Sequence, residues 1–157
     1  MALLKARFRF QNVLAITPEF LRNAGARAIL IDADNTLSFH GSQEPYPGVA
    51  EWLRKIVGNG IPAVIISNNE RERIEPFARK LGLPFVEKSK KPLPVGFRKA
   101  CRKLGVPPSE TAVIGDQIFT DVLGGNLIGA TVILTEPLGP DTDKFIKAKR
   151  HFEKWIR

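Results

Sequence analysis

Two carboxylates, Asp32 and Asp34, stand where the apolar run Ala28-Ile29-Leu30-Ile31 stops. Acids this close to a core run are costly unless something pairs with them, and a bound cation is one such partner. Three later apolar runs also stop in polar groups. Ser67 follows Ala63–Ile66, Lys91 lies a few residues beyond Leu83–Val86, and Gly115-Asp116 follows Thr111–Ile114, with Asp121 shortly after. Each of these groups is of a type that phosphate chemistry can use. Asp32, the first acid at its strand end, is the candidate nucleophile, because an attacking carboxylate forms an acyl phosphate and splits one hard displacement into two easier ones. Asp34 is the candidate general acid and then base, since the second step reverses the proton demand of the first. The competing reading is an Asx-turn in which Asp34 or Asn35 caps the next segment.

The elements that must position these groups follow from periodicity. Residues 27–33, Ala63–Ile66, Leu83–Val86, Thr111–Ile114 and Thr131–Leu134 read as strands too apolar to face water on one side. Between them lie helical patterns. One starts at Thr17-Pro18-Glu19, with Thr17 as N-cap, and ends near Gly25. Others cover 48–58, 70–81 with Pro76 kinking or dividing it, 95–104, and a glycine-rich 119–129 whose Gly124-Gly125 imply a packing reason. Alternating strands and helices predict a single three-layer α/β domain on a parallel sheet. Ligands bind at the C-terminal edge of such a sheet, where all these polar groups fall. Residues 1–16 read as a basic arm or partial helix packed on the domain, and 142–157 as an amphipathic C-terminal helix.

Bulk properties bound the function. The chain has 157 residues and a formal charge of +8. That charge favours an anionic partner, whether phosphate esters, nucleic acid or an acidic membrane surface. A single cysteine, Cys101, excludes an internal disulfide and a cysteine metal cluster. It fits a reducing compartment, so a cytoplasmic location is expected, with peripheral contact at the inner face of the membrane as an option. The terminal segments combine basic and aromatic residues. They either touch acidic lipid or close the core with Phe145, Phe152 and Trp155, and the second account is preferred.

Asp32-x-Asp34-x-Thr36, Ser67, Lys91 and Gly115-Asp116 with Asp121 resemble the four motifs of the haloacid-dehalogenase-like (HAD) superfamily. Thr17-Pro18-Glu19, Ser67-Asn68-Asn69, Lys91-Pro92 and Gly115 through Gly125 further resemble the YqeG-type phosphatases of subclass IIIA, which are similar to phosphatidylglycerophosphate phosphatases. The resemblance implies a Rossmann-like core, capless or nearly so, because the loop 38–47 is too short for a covering domain. It implies a magnesium-dependent phosphomonoester hydrolase acting through an aspartyl-phosphate, on a phosphorylated small molecule or a phospholipid head group. It also implies Asp32, the Asp34 backbone carbonyl and Asp116 as Mg²⁺ ligands, with Asp121 and Gly115 behind them.

Thr36, Ser67 and Asn68 are candidate substrate contacts, and Thr36 could equally hold the turn. On charge pattern alone Lys90 competes with Lys91 for the inward position; Pro92, which fixes the chain after Lys91, and the family pattern both favour Lys91. His40 is a further loop residue that could touch substrate. Small members of the superfamily assemble, so a homo-oligomer is an option. The rival class is a nucleic-acid-binding or regulatory protein on the same scaffold, although no recognised nucleic-acid motif supports it.

Overall fold

In the computed structural model, which describes residues 2–139, six parallel strands form one sheet. They are β1 (Phe8–Phe10), β2 (Ala28–Ile31), β3 (Ala63–Ile66), β4 (Phe85–Val86), β5 (Thr111–Gly115) and β6 (Thr131–Thr135), in the order β1-β6-β5-β2-β3-β4. The helices are α1 (Pro18–Asn23), α2 (Val49–Gly58), α3 (Arg71–Leu81), α4 (Pro94–Leu104) and α5 (Leu123–Leu127). The chain is therefore α/β and Rossmann-like, as its pattern predicts.

The sheet is covered on both faces, which is why its strands read as unbroken apolar runs. Neighbouring residues of a strand point to opposite faces. Ile29, Ile31 and Ile65 join one core cluster with Leu21 of α1, Leu53 and Ile56 of α2 and Phe77 of α3. Leu30, Val64 and Ile66 join another with Phe97, Ala100 and Cys101 of α4. Trp52 belongs to the first cluster, and its indole N–H donates to the Ile16 carbonyl at 2.7 Å.

Four elements differ from expectation. The segment 1–16, expected as an arm or partial helix, contains an edge strand; Phe8 and Phe10 of β1 pair in register with Ile133 and Thr135. Three residues give too short an alternation for a strand to be read. Phe8 and Phe10 also meet Phe20 edge to face, at 4.8 and 4.9 Å between ring centres, so they serve packing. Second, of the two outcomes expected at Pro76, division does not occur, since α3 is one helix from Arg71 to Leu81. Third, 119–129 opens as a π-helical turn at Ile118–Val122 before α5. Its glycines have the packing reason expected: a Cβ on Gly125 would lie 2.6 Å from a Val132 methyl, and one on Gly124 would overlap the Phe97 ring. Fourth, β4 is only Phe85–Val86, shorter than predicted. The expected helix 142–157 lies outside the described residues. Among the described residues no helix is long and apolar enough to cross a membrane.

Register decides where the polar groups meet. Ile31 lies level with Ile65 on one side and Ile114 on the other. The residues that follow these strands, Asp32, Ser67 and Asp116, therefore emerge at one rim.

Candidate active site

Lys91 ties this rim together. Its Nζ donates to Asp32 Oδ1 at 2.9 Å and to Asp121 Oδ1 at 2.8 Å, in a side chain only 4% exposed. The backbone is clamped so that Lys91, not Lys90, faces inward. Asn68 Oδ1 accepts from the Lys91 N–H at 2.7 Å and from the Ser89 hydroxyl at 2.8 Å, while Asn68 Nδ2 donates to the Lys91 carbonyl at 3.1 Å. Lys90 is exposed and left-handed, with φ 60°. Burial alone would lower the affinity of Lys91 for its proton, but the Asp121 and Asp32 carboxylates outweigh it and hold the ammonium above its usual range.

Carboxylate oxygens of Asp32, Asp116 and Asp121 lie within 4.8 Å of one another, and all three residues are buried. Thr36 donates its hydroxyl to Asp116 Oδ1 at 3.2 Å. Burial pushes the Asp121 carboxyl up; Lys91 pulls it back, the Asp32 charge adds to the rise, and the result is about 6. One ammonium facing three buried carboxylates leaves excess negative charge. The donors are all oxygen, the set that suits a hard divalent cation. Gly115 makes the approach of Asp121 possible, since a Cβ there would sit 2.6 Å from Asp121 Cβ. Gly115→Ala is therefore expected to cost about 1–3 kcal/mol through overpacking, read from denaturant unfolding.

Asp34 faces a different set of partners. Its Oδ1 accepts from the Gly41 N–H at 2.7 Å and from Arg73 Nη2 at 2.9 Å; its Oδ2 accepts from Asn69 Nδ2 at 2.5 Å. Burial pushes the carboxyl up, yet the Gly41 N–H, Arg73 and Asn69 together hold it below the usual carboxylate value. Asn35 takes the left-handed turn conformation (φ 59°), which asparagine tolerates. Arg73 also donates to Ser38 Oγ at 3.2 Å and lies over the Phe77 ring. Sequence reasoning missed Arg73, Asn69 as a partner of Asp34, and the Gly41 amide. The signal available was spacing: Asn69 and Arg73 stand four apart across the start of α3, so both can reach one point.

Ser67, 1% exposed, accepts at Oγ from the Asn69 N–H at 3.0 Å and from Asn69 Nδ2 at 3.1 Å. A cleft of about 160 Å³ opens onto these groups, lined by Asp32, Asp34, Ser67, Asn68, Asn69 and Lys91 with His40, Gln117 and Thr120 at its sides. Larger hollows lie along the outer faces of α3 and α4, but none of them brings carboxylates and a buried lysine together. At this size the cleft takes a phosphoryl group but cannot enclose a large ligand.

Comparison with known proteins agrees with this geometry. The family model described as haloacid dehalogenase-like hydrolase matches residues 6–129. A Bacillus subtilis protein named "Probable phosphatase YqeG" is 36% identical over 146 residues, covering 93% of this chain and 85% of that one. The chloroplastic phosphatidylglycerophosphate phosphatase 1 of Chlamydomonas reinhardtii is 28% identical over 150 residues, covering 87% of this chain but only 55% of its own length. A solved HAD family hydrolase from Deinococcus radiodurans, with bound phosphate and sodium, superposes with a TM-score of 0.59 at 22% identity, over 81% of this chain and 88% of that one. A D,D-heptose bisphosphate phosphatase from B. bronchiseptica, complexed with magnesium and phosphate, gives 0.59 at 15% identity over 69% and 79%. These two likenesses speak for the fold. With carboxylates, lysine and serine gathered at the sheet rim that the family model spans, the chain belongs to the haloacid dehalogenase-like hydrolases and is a phosphatase of that family.

Proposed function

We propose that the chain hydrolyses phosphomonoesters with Mg²⁺ through an aspartyl-phosphate on Asp32, and that its substrate is a phospholipid head-group phosphate. The observation that carries the reading is Lys91 Nζ bridging Asp32 and Asp121 beside Asp116. The lipid assignment draws on the relatives' names, and on a cleft that cannot enclose a large substrate.

Asp32 attacks phosphorus, and the bond to the leaving oxygen breaks as Asp34 gives that oxygen a proton. Water then attacks the acyl phosphate while Asp34 takes its proton, and Asp32 is released as carboxylate. Asp34 enters this cycle ionised, because its partners favour the charged form. The proton for the leaving oxygen therefore comes with the substrate: Asp34 takes it from the phosphoryl group, whose second pKa is about 6, passes it to the leaving oxygen, and later yields the proton gained from water to the released phosphate. Lys91 stays charged throughout and offsets charge on the nucleophile and the phosphoryl oxygens. Ser67 already accepts at its oxygen, so its own hydrogen is the group it offers a phosphoryl oxygen. Thr36 holds Asp116, and Asn68 lines the cleft while its amide fixes Lys91. Asp32, Asp116 and the Asp34 carbonyl would hold Mg²⁺, with Asp121 beside them, and when bound the cation reduces repulsion between nucleophile and phosphate.

Phosphate release measured across phosphatidylglycerophosphate, sugar phosphates and nucleotides tests the reading. Release from the lipid substrate, lost with a chelator and restored by Mg²⁺, is expected; no release from any of them would overturn it. Replacing Asp34 by Asn should lower turnover by about 10²–10⁴-fold, and an unchanged rate would remove Asp34 from proton transfer.

The raised Asp121 carboxyl sets a pH dependence. Its folded value of about 6 lies above the ordinary 3.8, so the folded state keeps the proton longer than the unfolded state. The cation-free protein should thus lose stability as pH rises through that window. Protonating Asp121 removes a negative charge beside the ligating acids, so divalent-cation affinity should weaken as pH falls below about 6. Thermal unfolding with and without Mg²⁺ across pH 4–7 reads both effects.

A further inference from the structure

The first turns of α4 leave a surface that the phosphatase chemistry does not use. No acid occurs between Lys88 and Lys103. Lys88 is spent on Glu70 at 2.9 Å, and Lys91 lies in the cleft. Among the described residues no ion pair engages Lys90, Arg98, Lys99, Arg102 or Lys103, and all five are exposed. Beside these cations stand two aliphatic side chains in water, Leu93 at 55% and Val95 at 58% exposure. Val95, Arg98 and Arg102 recur at helical spacing along the outer face of α4, and with Leu93 they line a shallow groove of about 460 Å³.

Position gives this face its meaning. Leu93 is the N-cap of α4, and Lys91, two residues earlier, reaches the carboxylates with its ammonium. Leu93 and Val95, with Lys90 before them, thus start beside the cleft, and Arg98 and Arg102 continue the same face along α4, Arg102 in its last turn. Phe39, 48% exposed, directly precedes His40, which lines the cleft.

We infer that the outer face of α4, with Leu93 and Val95 at its N-terminal end, Lys90 just before them and Arg98 and Arg102 following along the helix, docks on a bilayer containing anionic lipid. The inference rests on the phosphatase reading for its purpose, since docking would turn the cleft toward head groups, but its binding step does not depend on turnover. The charge pattern argues for this occupant. A second copy would bring cation against cation. Single-stranded nucleic acid would call for an aromatic stacking platform, and Phe97, the aromatic residue of α4, is fully buried. Aliphatic side chains flanked by cations match an interface where hydrocarbon lies beneath negative head groups.

Sedimentation with vesicles provides the test, using equal parts phosphatidylcholine and phosphatidylglycerol against phosphatidylcholine alone. The full chain should sediment with the mixed vesicles and not with the neutral ones. The double substitution Arg98→Gln, Arg102→Gln should lower partitioning about thirtyfold, at roughly 1 kcal/mol per cation near an anionic surface. Val95→Ser should weaken it further. Both variants should hydrolyse p-nitrophenyl phosphate at the wild-type rate, which also shows that they are folded. Vesicle binding without phosphate release from any substrate would overturn the phosphatase proposal and leave the docking face standing. Wild-type protein that turns over the soluble ester yet stays in the supernatant would overturn the docking face alone. So would variants that sediment as wild type does, or substitutions that weaken only oligonucleotide binding.

Discussion

Asp32→Asn is expected to lower kcat by about 10⁴-fold or more, the scale seen when a nucleophile is removed, while the protein stays folded. An amide oxygen cannot form the acyl phosphate, and among the described residues the two neighbouring acids, Asp121 and Asp116, are buried behind the cleft rather than lining it. The expected stability change has the opposite sign from that of most buried substitutions. Asp32 adds to the charge crowding that keeps Asp121 at about 6, so neutralising it relieves repulsion in the cation-free protein. Lys91 retains Asp121 as a partner at 2.8 Å. Turnover should vanish while the melting temperature without divalent cation is unchanged or higher. Turnover close to wild type would reject Asp32 as nucleophile.

Lys91→Met carries the second large effect, and on stability it runs the other way. Removing one partner of a buried ion pair leaves uncompensated charge, which costs about 3–5 kcal/mol. Here two carboxylates lose the same ammonium. Raising the Mg²⁺ concentration should recover part of the loss, because a ligand bound only by the folded state stabilises it by mass action. The Mg²⁺-induced rise in melting temperature should exceed that of wild type. Activity should still fall by about 10²–10³-fold even when the site is filled, since a positive group aimed at developing charge is gone. A variant equally stable in the absence of cation would show that Lys91 does not balance these acids.

Most of the fold was legible because its strands are buried on both faces. Ile29 and Ile31 meet one helical layer and Leu30 the other, so the sequence must be apolar at every position, and that pattern is hard to mistake. The edge strand Phe8–Phe10 was not legible, because three residues show too little alternation and its pairing partner lies at the far end of the described chain. The gathering of Asp32, Ser67 and Asp116 follows from chain order and strand ends, while Lys91 and Asp121 join them through Pro92 and the family resemblance. What sequence could not give was the division of labour behind them. Nothing in Ser67-Asn68-Asn69 says that Asn68 turns to the Lys91 backbone while Asn69 turns to Asp34. Arg73 reads as one more charge on a charged helix, yet its guanidinium is folded inward onto Asp34. The π-helical turn at Ile118–Val122, from which Asp121 reaches both Lys91 and the other two acids, has no propensity signal of its own.

Asp32 is proposed to carry the phosphoryl group between two half-reactions. Incubating the Asp34→Asn variant with p-nitrophenyl phosphate, whose leaving group departs without a proton, and Mg²⁺, then quenching in acid and reducing with borohydride, would convert an aspartyl-phosphate to homoserine. The predicted result is homoserine at residue 32, in an amount that depends on substrate. Protein-bound phosphate at any other residue, or hydrolysis by the wild type with none trapped at residue 32 in the variant, would contradict it.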